Sequence, residues 1–269
     1  MAENKRKGSR TIKNIPKNIL AQLNHGEIET VSLAEWAAVD RRALLGNILA
    51  QYRREKYLTP ILEKINNLKK QTVNTITETI GAGILEQATL HKDEGFLQAI
   101  ATHESDLVRT WAAYAVGKME AKNMKQLLQK IQPFAADRHF GVREEAWCSA
   151  RPKIVQNVDE SIMILSKWAI NKDENIRRFA SEATRPRGVW CEHIKKLKEN
   201  PELGLSILEP LKSDKAKYVR DSVGNWLNDA SKTQPEFVIK LCSRWEKESE
   251  TKETKHIIKR ALRTINKMV

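Results

Sequence analysis

The sequence is poor in glycine and proline, with 11 and 8 among its 269 residues. That is too few for an all-β protein built on tight turns, or for a chain rich in long loops. Cysteine is scarcer still: Cys148, Cys191 and Cys242 are scattered, odd in number and without a C-x-x-C pair. This excludes a disulfide framework and a cysteine-rich zinc site, and it points to a reducing compartment. Cys191-Glu192-His193 is the one close Cys/His pair, and a semi-buried thiol is its simpler reading. No metal site is expected. There is no run of 18 apolar residues, which excludes a membrane-spanning helix. The basic start, Met1 to Gly8, leads into no apolar signal segment. Phosphate-loop, G-x-G-x-x-G, H-E-x-x-H and G-x-S-x-G patterns are all missing, and the six histidines do not cluster in sequence. No cofactor is expected.

What is present favours helices. Apolar residues make up 41% of the chain and charged residues 30%, enough for a buried core under solvated outer faces. Lys and Arg total 47 against 34 for Asp and Glu, a formal net charge of +13. A chain this basic suits a polyanion such as nucleic acid, the alternative being a basic but merely solvated surface.

The sequence repeats itself. Val108-Arg109-Thr110-Trp111-Ala112-Ala113, Val142-Arg143-Glu144-Glu145-Ala146-Trp147, Ile176-Arg177-Arg178-Phe179-Ala180-Ser181 and Val219-Arg220-Asp221-Ser222-Val223-Gly224 share one template, a β-branched residue, then Arg, then a small-residue-rich helix. Ile258-Lys259-Arg260-Ala261 reads as a weaker fifth copy. The spacings are 34, 34, 43 and 39 residues, those of two-helix HEAT-like repeats. Together they predict an all-α fold, a right-handed solenoid of HEAT-like two-helix repeats forming a single domain. Residues 1–14 read as a mobile basic tail, 15–85 as an N-terminal helical cap and 86–269 as the repeats. Gly81-Ala82-Gly83 interrupts the helical pattern just before them.

The second helix of each repeat normally lines a solenoid's concave face. Here those stretches hold Arg143, Arg151, Arg177, Arg178, Arg185, Arg187 and Arg220, with Trp147, Trp190 and Trp226 among them. Arg binds phosphate through a planar fork, and Trp offers a flat face to a base or sugar. Each has a plainer alternative. The Arg after the β-branched residue ties repeats together in many such folds, and a Trp on a helix often packs in the core. Two carboxylates, Glu182 and Asp229, fall late in second helices one repeat apart, so they are placed to converge. A salt bridge to Arg185, three residues on, is the structural alternative for Glu182; a cap or turn role is that for Asp229.

Arg177 to Arg187 and Tyr218 to Lys232 resemble the corresponding stretches of the HEAT-like-repeat alkylpurine DNA glycosylase superfamily, the AlkC and AlkD type, and stand closest to its AlkC branch. A weaker likeness extends to Leu33-Ala34-Glu35-Trp36 and Ala43-Leu44-Leu45. The resemblance implies a solenoid wrapping duplex DNA and the removal of cationic alkylated purines such as 3-methyladenine or 7-methylguanine. It implies that Glu182 and Asp229 are cleft carboxylates, and that Trp226 matches an aromatic that contacts the lesion-bearing nucleotide. It also implies that the base is not flipped into a pocket. The sequence departs from the AlkC pattern at Trp147, where that branch is acidic; Glu144 and Glu145 lie one turn earlier.

The expected chemistry is hydrolysis of an N-glycosidic bond through an oxocarbenium-like transition state stabilised by carboxylates. The expected partner is double-stranded DNA with alkylated bases, bound by a monomer in the cytoplasm, at the nucleoid. Two other readings share these residues: a non-enzymatic DNA-binding solenoid selective for bent or branched DNA, and a protein-binding scaffold whose basicity is incidental.

Overall fold

A computed structural model describes residues 6–188 and 191–267, and among them every regular element is helical. In chain order these are α1 (Lys17–His25), α2 (Leu33–Ala38), α3 (Arg41–Gln51), α4 (Leu58–Asn66), α5 (Val73–Leu90), α6 (Glu94–Ala101), α7 (Asp106–Lys118), α8 (Met124–Ala135), α9 (Phe140–Gln156), α10 (Val158–Trp168), α11 (Glu174–Ala183), α12 (Lys195–Glu199), α13 (Leu205–Leu208), α14 (Lys217–Ser231), α15 (Pro235–Glu248) and α16 (Lys252–Ala261). No described helix is long and apolar enough to cross a membrane.

Local chemistry fixes many of the starts. Ser32, Asp40, Asn123, Asp173 and Thr251 each accept a backbone N–H of the turn they precede, and Thr72 and Thr75 form a reciprocal capping box. Pro235 opens α15, where its missing N–H costs nothing.

The chain resolves into two compact units, Met1–Glu120 with Arg138–Ser149, and Ala121–Asp137 with Ala150–Val269. This division does not fall at residue 85, where the sequence suggested a boundary. In the first unit α7 packs on α6 and α5; in the second, α14 packs on both α11 and α16. The all-α, repeat-built reading is therefore borne out: first helices pair with second helices, and second helices stack on each other.

The arginine after the β-branched residue does the same thing in the four repeats that carry it. Arg109 Nη1 donates to the carbonyls of His103 and Glu104 at 2.7 and 2.9 Å. Arg143 Nη1 donates to Arg138 O at 3.0 Å. Arg177 Nη1 donates to Asn171 O and Lys172 O at 2.8 and 3.0 Å, and Arg220 Nη1 to Asp214 O and Lys215 O at 3.0 and 2.6 Å. Each guanidinium reaches back five or six residues and ties down the turn before its own helix.

Three sequence expectations change. The β-branched residue stands two residues after the first helical residue in α7, α9, α11 and α14. In α16 that position is Thr254, so the fifth copy is Thr254-Lys255, one helical turn before Ile258-Lys259. Thr254 is buried and its hydroxyl donates to Lys212 O at 2.9 Å. Gly81 and Gly83 do not break α5. A Cβ on Gly81 would lie 2.6 Å from the Trp111 carbonyl oxygen, and one on Gly83 would lie 2.8 Å from Ile61. The glycines are notches for neighbouring helices, and close packing outweighs their helix penalty of about 1 kcal/mol each. Within the segment read as a tail, Arg6 bonds both Glu35 oxygens at 2.6 and 2.9 Å, and Ser32 donates to Ser9 O at 2.8 Å. The described part of that segment is thus tied to α2.

Candidate functional site

α11 and α14 are consecutive second helices of the second unit, and together they bring the two carboxylates near one arginine. Glu182 sits in the last turn of α11, 4% exposed, and Asp229 near the end of α14, 2% exposed. Arg185, two residues past α11, lies between them. Its Nη1 donates to Glu182 Oε1 at 2.7 Å; its Nε and Nη2 both meet Asp229 Oδ2, at 2.8 and 2.7 Å. The network continues at both ends. Ser222 donates to Glu182 Oε2 at 2.7 Å and itself accepts from Ser181 at 2.8 Å. Arg178 Nη2 stands 3.6 Å from Glu182 Oε2. Lys232 Nζ lies 3.2 Å from Asp229 Oδ1. Three cations and two carboxylates alternate along the line Arg178–Glu182–Arg185–Asp229–Lys232.

Local helix physics does not ask for carboxylates here. The C-terminal end of a helix carries partial negative charge, which disfavours an anion by roughly 0.3–1 kcal/mol. Both acids occupy late helical positions, so neighbouring cations and donors must offset the helix ends. For Glu182 burial pushes the carboxyl up, but the Arg178 and Arg185 charges and the bonds from Ser222 and Arg185 more than reverse this, and it ionises below the usual carboxylate range. The Arg185 guanidinium is correspondingly held protonated: burial opposes its charge and the two carboxylates favour it more.

The other arginines named from the sequence are placed differently. Arg151 is 1% exposed, and its three nitrogens donate to Ala183 O, Arg185 O and Glu192 O at 2.7, 2.6 and 3.1 Å. It closes the orphan carbonyls at the end of α11 and anchors the Arg185 backbone, so it is not a phosphate contact in this structure. Arg177 forms a bidentate pair with Asp214 at 2.6 and 3.1 Å besides its turn carbonyls, and Arg220 and Arg143 serve their own turns. These three are structural ties here, as the plainer reading allowed. Arg178 packs over the Tyr218 ring at 4.2 Å. Arg187 is half-buried, with its Nε bonded to nothing among the described residues.

The aromatics also divide. Trp226 is fully buried, its ring against Gly204 and its Nε1 donating to Thr184 at 3.3 Å. It is a core residue, not a cleft aromatic. Trp147, 5% exposed in the first unit, donates to Glu144 Oε2 at 2.8 Å. Neighbouring Glu145 turns inward and accepts from the Tyr114 hydroxyl at 2.7 Å, and burial pushes its carboxyl up. Trp190 lies outside the described residues. Sequence reading missed Ser222, Tyr218 and Lys232. For Lys232 the signal was its three-residue spacing from Asp229; for Ser222 and Tyr218 nothing in the sequence marked them.

Fold and site together describe a helical-repeat protein with a buried acid–arginine network, and the comparisons fit that class. Residues 146–265, which hold the whole network, match the family described as DNA alkylation repair enzyme, so the resemblance read from the sequence is borne out. Among individual proteins, the chain is 41% identical over 119 residues to the uncharacterized protein YhaZ of Bacillus subtilis, a match covering 44% of this chain and 33% of that protein. It thus spans about a third of the length of that curated relative. The fold is similar to the Pseudomonas fluorescens alkylpurine DNA glycosylase AlkC bound to DNA containing an abasic site analog, with TM-score 0.65 and 21% identity, over 97% of this chain and 66% of that one. It is also similar to AlkD2 from Streptococcus mutans, with TM-score 0.60 and 21% identity, over 77% of this chain and 97% of that one.

Proposed function

We propose that this protein is a DNA repair glycosylase that hydrolyses the N-glycosidic bond of cationic alkylated purines, such as 3-methyladenine and 7-methylguanine, in duplex DNA. The observation that carries the reading is the pair of buried carboxylates on α11 and α14, bridged by Arg185 at 2.7–2.8 Å inside the segment matching the DNA alkylation repair family. Alkylation at a ring nitrogen makes the base a cation and a good leaving group. As the bond from C1′ to the base nitrogen breaks, its electron pair goes to the base and neutralises it, while positive charge develops on the sugar. Carboxylates held ionised stabilise that charge. Water then bonds to C1′ and gives up a proton, leaving an abasic sugar and a neutral free base. Glu182 and Asp229 are the residues proposed to stabilise the transition state and orient the water. Arg187, whose Nε bonds nothing among the described residues, and Arg178, beside Glu182, are the proposed phosphate contacts, and DNA bearing alkylated bases is the proposed partner.

A second reading rests on the same geometry. Each described oxygen of Glu182 and Asp229 already meets a donor, and Trp147 stands where the AlkC pattern is acidic. A protein that binds duplex DNA without cleaving it would show the same network as structural glue. The deciding experiment is chromatographic detection of free bases released from methylated DNA by wild type and Glu182→Gln. Release by wild type and its loss in the variant supports the glycosylase. No release by a wild type that binds duplex DNA leaves the second reading.

A further inference from the structure

The second unit carries one strongly charged surface that the carboxylate network does not absorb. α15 and α16 form the last helix pair, and their exposed faces differ in charge, α15 mixed and α16 basic. On α15 the exposed cations Lys240, Arg244 and Lys247 alternate with exposed Glu236, Glu246 and Glu248. Arg244 pairs with Glu209 and Glu248, and Lys212 with Glu248. That is the ordinary solvated helix face. On α16 the one acid, Glu253, is buried at 7% exposure, while Lys252, Lys255 and Lys259 are exposed. None of these three lysine side chains is bonded or ion-paired among the described residues. Their spacing of three and four residues puts them on one face, and exposed Arg263 extends the line by four more. Four like charges in a row repel one another, and at the end of the row Arg263 is drawn by the charge of Asp229.

The line also ends beside the candidate site. Just past Arg263, the Thr264 N–H and hydroxyl both donate to Asn228 Oδ1, at 3.2 and 2.9 Å, and Asn228 precedes Asp229. On the side facing α14, Arg260 Nε donates to Asn225 Oδ1 at 3.0 Å, which fixes the rotation of α16 against that helix. The inner edge of α16 is thus locked to α14, and its outer edge is a basic track leading away from Asp229.

We infer that Lys252, Lys255, Lys259 and Arg263 form a backbone track for one strand of duplex DNA flanking the lesion. From Lys252 to Arg263 is about 16 Å at 1.5 Å per residue, three intervals of roughly 5–6 Å between cations. A DNA strand carries about one phosphate per 3.4 Å of axis, so the row offers about two cations for every three phosphates it passes. The inference rests on the functional reading above for its choice of DNA, and its test separates the two. Affinity for a short undamaged duplex is measured against salt from about 50 to 200 mM for wild type, for the triple variant Lys252→Gln/Lys255→Gln/Lys259→Gln, and for Lys240→Gln/Lys247→Gln on α15. Helical content and melting temperature are checked for each. Each phosphate contact contributes about 0.9 to the slope of log affinity against log salt. The triple variant is expected to lose about 2–3 of that slope, and the α15 variant to keep the wild-type value. An unchanged slope in the triple variant overturns the track. So does an equal loss in both variants, which would mean a general charge effect. A wild type with no salt-dependent duplex binding overturns the functional reading itself. Base release is not read in this assay, so a track without catalysis remains a distinguishable result.

Discussion

Removing the Arg185 guanidinium while keeping a polar side chain, Arg185→Gln, is the sharpest test of the acid network. In the wild type Arg185 makes three charge-assisted contacts at 2.7–2.8 Å, shared between two carboxylates that are 4% and 2% exposed. Breaking a buried pair by deleting one partner costs about 3–5 kcal/mol, because the remaining charge is left uncompensated. Some compensation survives here: Arg178 at 3.6 Å and Ser222 at 2.7 Å still face Glu182, and Lys232 at 3.2 Å still faces Asp229. The expected loss is therefore about 3 kcal/mol, a melting shift on the order of 10 °C. The loss carries a pH signature. Glu182 in the wild type ionises below its unfolded value, so its contribution is fully present above the unfolded pKa and fades only as pH falls through the lower folded one. Without Arg185, burial dominates and the folded carboxyl is expected to shift above its unfolded value. The penalty is then full at neutral pH and shrinks as protonation relieves it. Urea unfolding at pH 7.5 and pH 5 reads both effects. A deficit under 1 kcal/mol at pH 7.5, or one that does not shrink at pH 5, would refute this account.

Other consequences follow from the same geometry. Asp229→Asn should abolish base release while duplex affinity stays within a few-fold of wild type; parallel loss of both, in a folded variant, removes Asp229 from the chemistry. Because Glu182 stays ionised below the ordinary carboxylate range, single-turnover base release should show no acid limb between pH 7 and 5, and a midpoint at or above about 4.5 would contradict its role. Gly81→Ala should destabilise by about 2 kcal/mol by thermal melting, since its Cβ would meet a carbonyl oxygen of α7 that cannot yield. Trp226→Phe should lower stability but leave duplex affinity unchanged; a selective loss of affinity would return Trp226 to the binding face.

Much of this was legible in the sequence because the repeat writes itself in short-range signals. Asp173 before α11, Pro235 at the start of α15 and the β-branched–Arg step all act within one or two turns, so their spacing shows in one dimension. The Glu182–Arg185 pair was readable as helix neighbours three apart, and the convergence of Asp229 followed from the repeat period. What sequence could not resolve was direction. The same Arg serves a turn or a phosphate, and only the carbonyls of His103, Asn171 and Asp214 reveal which. Trp226 is as apolar on a cleft wall as in a core, and Gly204 packed on its ring decides for the core. Gly81 looked like a helix breaker because the close approach of α7 is a long-range fact. The fifth copy slipped by one turn because Thr254 replaces the β-branched apolar residue with one that bonds Lys212.

The turn-binding arginines bear on how such a chain can change. Through Nη1, Arg109, Arg177 and Arg220 grip carbonyl oxygens, which every residue possesses, even where another guanidinium nitrogen pairs with a side chain, as Arg109 does with Glu29 and Arg177 with Asp214. The turns they hold are accordingly unlike one another, His103-Glu104-Ser105, Asn171-Lys172-Asp173 and Asp214-Lys215-Ala216. An anchor indifferent to side-chain identity lets each inter-helix connection drift in sequence, and acquire or lose charge, without loosening the helix behind it.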